Sequence, residues 1–202
     1  LKTSLLIRRY IWLVGVLAMI VRAGFGLVVT ARLVRNARPV VSGRIQRMAE
    51  QLQQRYGIGA CDLRLSGGTV TPFVAGIIQP AVVLPCEAEG WSDNRLRLVL
   101  THELSHVHRR DTLWYMLGVV LVAINWFNPP AYLVRRRLMR ETELVCDDTV
   151  IASGGNCEHY AQYLLDEFRA LRGRVVFSTP VAVGMARRSQ MEERLMSVLR
   201  EH

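Results

Sequence analysis

Lysine is almost absent from this chain of 202 residues. Of its 26 lysines and arginines, Lys2 is the only lysine, so the formal charge of +9 is carried by arginine. No nucleic-acid-binding motif accompanies that charge, and the arginines gather beside apolar segments. This is the pattern of a cytoplasmic membrane flank rather than of a nucleic-acid surface. Cysteine is scarce too. Cys61, Cys86, Cys146 and Cys157 form no C-x-x-C pair and no legible disulfide framework, which points to reduced, buried residues in a reducing compartment. No internal repeat and no low-complexity segment interrupts the chain, leaving one modest domain with attachments. A small-residue cleavage site is also missing behind the first apolar stretch, which argues against a secretory signal.

Apolar residues, by contrast, make up half of the chain. Residues 11–30 form a run of bilayer-spanning length whose only charge is Arg22. Lys2, Arg8 and Arg9 precede it, and Arg32, Arg35, Arg38, Arg44 and Arg47 follow. The heavier basic flank is C-terminal, which predicts that this side is cytoplasmic. Arg22 suggests a helix that faces other helices in a longer parent protein, in keeping with a chain that opens on Leu1. The reading divides the chain into a membrane helix with its basic flank (1–40) and a cytosolic domain (41–202).

Within that domain, Ile45, Met48, Leu52 and Tyr56 recur at helical spacing and Gly57 ends the helix. Cys61, Leu63 and Leu65 alternate as in a strand, and 70–74 and 77–84 read as two more. Pro80 cannot donate to a ladder, so the last of these is read as an edge strand. Gly76, Ile77, Ile78 and Gln79 on it could pair with an extended peptide substrate, or could belong to an ordinary hairpin. A helix starts near Asp93 as N-cap and runs to about 110, with Leu96, Val99, Leu100, Leu104 and Val107 on its apolar side. The apolar run 112–127 is short for a full span and reads as a membrane-apposed or core helix, ended by Asn128-Pro129-Pro130. Further helices follow over 135–150, after Asn156, and after the Ser189/Glu192 capping box.

The chemistry sits on the helix that starts near Asp93. His102-Glu103-Leu104-Ser105-His106 sets two imidazoles at i and i+4, on one helical face, with a carboxylate beside the first. This is the H-E-x-x-H arrangement of zinc hydrolases, in which Zn2+ takes three protein ligands and keeps one open position. Glu143, on the helix after the proline turn, is the chosen third ligand, with Glu141 and Asp148 as competitors. Asp147, one turn beyond Glu143, would accept the N–H of a ligating imidazole. Glu103 would take a proton from water and pass it to the leaving amine. His159, Tyr160 and Tyr163 are candidates for stabilising the oxyanion. His108 reads as a surface residue, and Arg135-Arg136-Arg137 as a solvated or lipid-headgroup face.

At these residues the chain resembles the BlaR/MecR family of membrane zinc metallopeptidases, the signal transducers of β-lactam resistance. The resemblance runs through Pro72-Phe73-Val74-Ala75-Gly76, Pro80-Ala81-Val82-Val83-Leu84-Pro85, the HELSH segment and Arg109-Arg110-Asp111. It continues through Trp126-Phe127-Asn128-Pro129, residues 143–147 and Met185-Ala186-Arg187-Arg188-Ser189. It implies an α+β, gluzincin-like domain, mostly helical with a small antiparallel sheet, on the cytosolic side of the cytoplasmic membrane. It also implies His102, His106 and Glu143 as zinc ligands and Glu103 as acid/base. The expected activity is a membrane-tethered endopeptidase that cleaves itself or a repressor-like protein. With Lys2 the only lysine, the chain holds no S-x-x-K sensor nucleophile. Two other readings share the motif: a non-catalytic transducer with structural zinc, and a processing or quality-control protease of the HtpX/Ste24 type.

Overall fold

A computed structural model describes residues 2–69, 71–172, 194 and 196–198. The chain opens on a long helix, α1 (Lys2–Asn36), followed by a two-residue strand β1 (Arg38–Pro39) and helix α2 (Gly43–Tyr56). Three strands come next: β2 (Asp62–Ser66), β3 (Phe73–Ala75) and β4 (Ala81–Pro85). After a 3-10 turn over Cys86–Gly90, four helices complete the described fold. They are α3 (Asp93–His108), α4 (Asp111–Ile124), α5 (Pro129–Ala152) and α6 (Cys157–Arg172).

Local chemistry accounts for most of the boundaries. Gly57 ends α2 in the left-handed region at φ 62°, where its N–H reaches the last carbonyls of the helix. Ser92, not Asp93, caps α3: its hydroxyl accepts from the Arg95 N–H at 3.3 Å, while Asp93 pairs with Arg44 at 2.7 Å. Pro129 and Pro130 open α5, where no backbone donor is missed. The Asn156 side chain accepts from the His159 N–H at 3.0 Å at the start of α6. The predicted helix behind Ser189 and Glu192 lies outside the described residues, apart from helical positions 194 and 196–198.

Two features of the sheet differ from expectation. The sheet is mixed rather than antiparallel, in the order β1-β2-β4-β3, with β2 parallel to β4 and the outer pairs antiparallel. β4 therefore lies inside the sheet, and all five of its residues are buried. A strand covered on both faces is apolar at every position, so Ala-Val-Val-Leu reads the same whether it is central or at an edge. Pro80 precedes β4 instead of lying within it, and its carbonyl accepts from the Asp62 N–H at 3.1 Å. Gly76, Ile77, Ile78 and Gln79 form the turn between β3 and β4, not an edge strand. Gly76 sits at φ 93°, and a Cβ there would overlap the Gln79 carbonyl, so the tight turn requires glycine. The outer strand on this side is β3.

The core lies between the sheet and helices α2, α3 and α6. Ile45, Leu65, Val82, Leu84, Leu96, Val99, Leu100, Leu104, Tyr160 and Leu164 are buried in it. Each such aliphatic side chain contributes about 1.5–3 kcal/mol of burial free energy. α3 is thus held rigidly on its apolar side, which steadies the face that carries the two histidines. α1 stands apart from this core. It is long and apolar enough to cross a membrane, and Leu5, Leu13, Leu17, Val21 and Phe25 are exposed along it. α4 lies alongside: Trp12 Nε1 donates to the Ile124 carbonyl at 3.0 Å, and Trp126 Nε1 to the Trp12 carbonyl at 3.3 Å. Gly15 makes room for the Trp126 ring, which a Cβ would overlap. Trp114, Leu117, Val120 and Ile124 of α4 point outward, so this helix presents its apolar face to the surroundings and is not a core helix.

Candidate metal centre

α3 holds His102 and His106 one turn apart, their ring centroids 4.9 Å from each other. α5 crosses beneath and brings Glu143 to both. Its Oε2 lies 3.6 Å from His102 Nε2 and its Oε1 lies 3.7 Å from His106 Nε2. A tetrahedral zinc site with bonds of 2.0–2.2 Å separates neighbouring donors by about 3.4 Å, so this spacing fits the ion closely. All three residues are buried. His106 Nε2 and Glu103 Oε2 are buried with no hydrogen-bond partner among the described residues. Buried polar atoms are rarely left in that state, and here they belong to the residues that a hydrolytic metal site requires. The donor set therefore fits a metal cation.

The far side of each imidazole is held. The His102 Nδ1–H donates to the Tyr160 hydroxyl at 2.9 Å, and that hydroxyl donates to Asp147 Oδ1 at 2.6 Å. Asp147 Oδ1 is itself 3.3 Å from the same ring nitrogen. The His106 Nδ1–H donates to Asp111 Oδ2 at 2.9 Å. Both rings are thus fixed in the tautomer that leaves Nε2 as a lone-pair donor toward the shared space. Asp111 reaches His106 because Arg110 adopts the left-handed region at φ 55°, turning the chain sharply between α3 and α4. A non-glycine residue pays a small strain for that turn.

Arg194 closes the site from the C-terminal side. Its Nε and Nη2 donate to Asp147 Oδ2 and Oδ1 at 2.8 and 2.7 Å, and Nη1 lies 3.0 Å from Glu143 Oε2. Burial alone would raise the Glu143 carboxyl, but the guanidinium and the two histidines outweigh it and hold the group down at about 2. Asp147 is likewise held below the usual carboxylate range, against the effect of burial, chiefly by Arg194. Burial also opposes a charge on His102, yet Asp147 and Glu143 push its pKa up to about 10. The carboxylates that favour a proton there equally favour a metal cation. Glu103 has the opposite fate: burial raises its pKa, only partly offset by the nearby histidines. A carboxyl made more basic in this way suits the role of proton acceptor.

Other candidates fall away from the centre. Glu141, Asp148, His108 and His159 are exposed. The Tyr160 hydroxyl is engaged behind His102, which places it in an orienting role instead of over the reacting groups. Tyr163 stacks on Tyr160 with ring centroids 5.9 Å apart. Cys146 Sγ lies 3.3 Å from His106 Nδ1 and 3.8 Å from Asp111 Oδ2. Burial and the surrounding carboxylates push that thiol far up, so it packs against the imidazole as a neutral group and not as a thiolate ligand. Gly76, Ile77 and Ile78 of the β3–β4 turn do border the site: they line a cleft of about 500 Å³ that also reaches His106.

Asp111, Tyr160 and Arg194 were not singled out from sequence as parts of the metal shell. Asp111 offers one signal, a carboxylate just past the end of the histidine helix. Tyr160 and Arg194 lie 58 and 92 residues from His102 and have no local signature. Asp111→Ala should weaken metal binding by about 10- to 100-fold, measured by competition with a chromogenic chelator. An unchanged affinity would remove Asp111 from the outer shell.

A model of the family described as BlaR1 peptidase M56 matches residues 2–198. The chain belongs to that family. It is 35% identical over 89 residues to the methicillin resistance mecR1 protein of Staphylococcus aureus (strain Mu50 / ATCC 700699), a match covering 44% of this chain and 15% of that protein. It is also 32% identical over 81 residues to the regulatory protein BlaR1 of Bacillus licheniformis, covering 40% of this chain and 14% of that one. The chain therefore matches only about one seventh of the length of these relatives. Among solved structures, Ste24p of S. mikatae superposes with a TM-score of 0.56 at 13% identity, over 93% of this chain and 58% of that one. This M56 chain thus shares the fold of Ste24p, with helices and a small mixed sheet around a candidate metal centre.

Proposed function

We propose that this M56 chain is the zinc endopeptidase portion of a membrane signal transducer, which cleaves itself or a repressor-like regulatory protein. The observation that carries the reading is the set of buried atoms on His106 and Glu103 that have no partner among the described residues, beside the His102–His106–Glu143 donor triangle. Zinc held by His102, His106 and Glu143 would supply a Lewis acid for the scissile carbonyl and make a water more acidic. Glu103 takes that water's proton and delivers it to the leaving amine. Asp147, Tyr160 and Asp111 keep both imidazoles in the ligating tautomer. An extended peptide lies along the outer edge of β3, with the cleft behind Gly76, Ile77 and Ile78 taking side chains next to the centre.

α1, with its flank to residue 40, is the membrane anchor, and residues 41–202 form the peptidase domain. The heavier arginine flank behind α1 supports a cytosolic peptidase side. The likeness to Ste24p concerns fold, whereas sequence identity runs to proteins named for regulation and resistance, which favours the signalling reading over a processing protease. A purely structural zinc would need no buried carboxylate beside it, so Glu103 favours catalysis over a non-catalytic transducer. In the chain reconstituted in vesicles, cleavage of itself or of an added repressor-like protein should stop on chelation and resume with zinc. Cleavage that persists undiminished through chelation would overturn the proposal.

A further inference from the structure

Arg110 combines a strained backbone with an unpaired charge. Apart from glycines it is the only described residue at positive φ, at 55° with ψ 41°, a region that glycine or asparagine enters at less cost. Its side chain is exposed and has no ion-pair or hydrogen-bond partner among the described residues. The neighbouring carboxylate is engaged elsewhere: Asp111 Oδ2 accepts from His106 at 2.9 Å, and Oδ1 faces Arg109 Nε at 3.4 Å. The turn by itself does not call for an arginine, since glycine would make it without strain. Strain of this kind gathers at sites of function.

Arg110 lines the cleft of about 500 Å³ that Val74 of β3 and His106 also border. Ile58, Ile77, Ile78 and Leu113 give this cleft apolar walls, and His108 adds a second basic group at its margin. No carboxylate lines it among the described residues. A cleft with apolar walls and a guanidinium without a counter-charge is complementary to an anionic group carried on an otherwise apolar chain. The arginine shares the cleft with a residue of the outer strand and with a candidate metal ligand, which favours a peptide over a lipid headgroup. Arg110 follows His106 by about 6 Å of helical rise, and an extended peptide advances about 3.3 Å per residue. We propose that the cleft selects acidic peptide segments, Arg110 receiving the carboxylate of a glutamate or aspartate about two or three residues from the scissile bond. This selectivity deepens the peptidase reading on which it rests.

The full chain carrying Glu103→Gln, in phosphatidylcholine nanodiscs with zinc present, holds bound peptide uncut. It is titrated with two labelled pools of randomised decapeptides, each peptide carrying one glutamate at a random position or one glutamine in its place. The glutamate pool should bind about fivefold more tightly at low salt, a margin that shrinks at about 0.5 M salt. Arg110→Gln and Arg110→Gly should each abolish the preference. Arg110→Lys should keep it, as should Arg137→Gln, on α5 outside the cleft. Arg110→Gly should also raise Tm by about 2–4 °C, because it relieves the left-handed strain. Equal binding of the two pools, or a preference untouched by Arg110→Gln, would overturn the proposal. So would a preference lost equally with Arg137→Gln, which marks diffuse surface charge. A glycine variant with lowered Tm would overturn it too, by making Arg110 a residue of the fold. Equal peptide binding, with phosphatidylglycerol vesicle binding lost in Arg110→Gln, would assign the side chain to lipid headgroups instead. The chain with Glu103 intact is then given the same pools. Cutting of both pools alike keeps the peptidase and loses the acidic preference, whereas an Arg110-dependent preference without any cutting loses the peptidase alone.

Discussion

Glu103→Gln should keep about one zinc per chain and lose proteolysis by about 10²- to 10⁴-fold. The two halves of this result have separate physical origins. The proposed metal donors are His102, His106 and Glu143, whose positions depend on Asp147, Tyr160, Asp111 and Arg194, and none of these contacts involves Glu103. Glutamine has the same shape as glutamate, so the pocket stays filled and α3 keeps its packing in the core through Leu96, Val99 and Leu100. What disappears is a proton acceptor. The Glu103 carboxyl is buried, which raises its pKa and makes it a stronger proton acceptor than a solvated carboxylate, whereas an amide cannot take a proton at all. Metal analysis and a cleavage assay on the same preparation make the comparison. Full activity in this variant would sink the acid/base role, and loss of zinc would make Glu103 part of the binding set.

Glu143→Ala should lose zinc outright, with metal content falling from about one per chain toward none after dialysis. Two imidazoles alone make a poor site for an ion that takes three protein ligands. The substitution also strips Arg194 of one of its two carboxylate partners and leaves Asp147 to hold the guanidinium alone. Removing one member of a buried ion pair costs about 3–5 kcal/mol, so thermal stability should drop along with metal content. Glu143→Gln is the companion variant, keeping shape and packing while removing the charge. Unchanged metal content in both variants would move the third ligand elsewhere, and Asp147, close to His102, would be the first place to look.

The clustering of the candidate metal donors was largely legible because they lie on regular helices. Spacing of i and i+4 on α3 sets His102 and His106 on one face whatever the rest of the chain does, and Glu143 and Asp147 stand in the same relation on α5. The buried stripe of α3 followed from the same periodicity: Leu96, Val99, Leu100 and Leu104 are all core. Strand order was not legible. The residues of β4 are apolar at every position, which marks the strand as buried but not its neighbours, and the proline that suggested an edge lies one residue outside it. Asp111 was hidden by a backbone turn at Arg110 that no residue preference announces, since left-handed positions favour glycine or asparagine.

By itself the sequence determined that two histidines and a glutamate share one helical turn, that residues 11–30 can span a bilayer, and that arginine concentrates behind that span. These are properties of short stretches, governed by helical period and by local composition. Only the tertiary structure decided which distant groups complete the centre. Tyr160 on α6 and Arg194 near the C-terminus meet Asp147 and Glu143 because the core packs α6 and α5 against α3, and burial obliges each of those charges to find a partner.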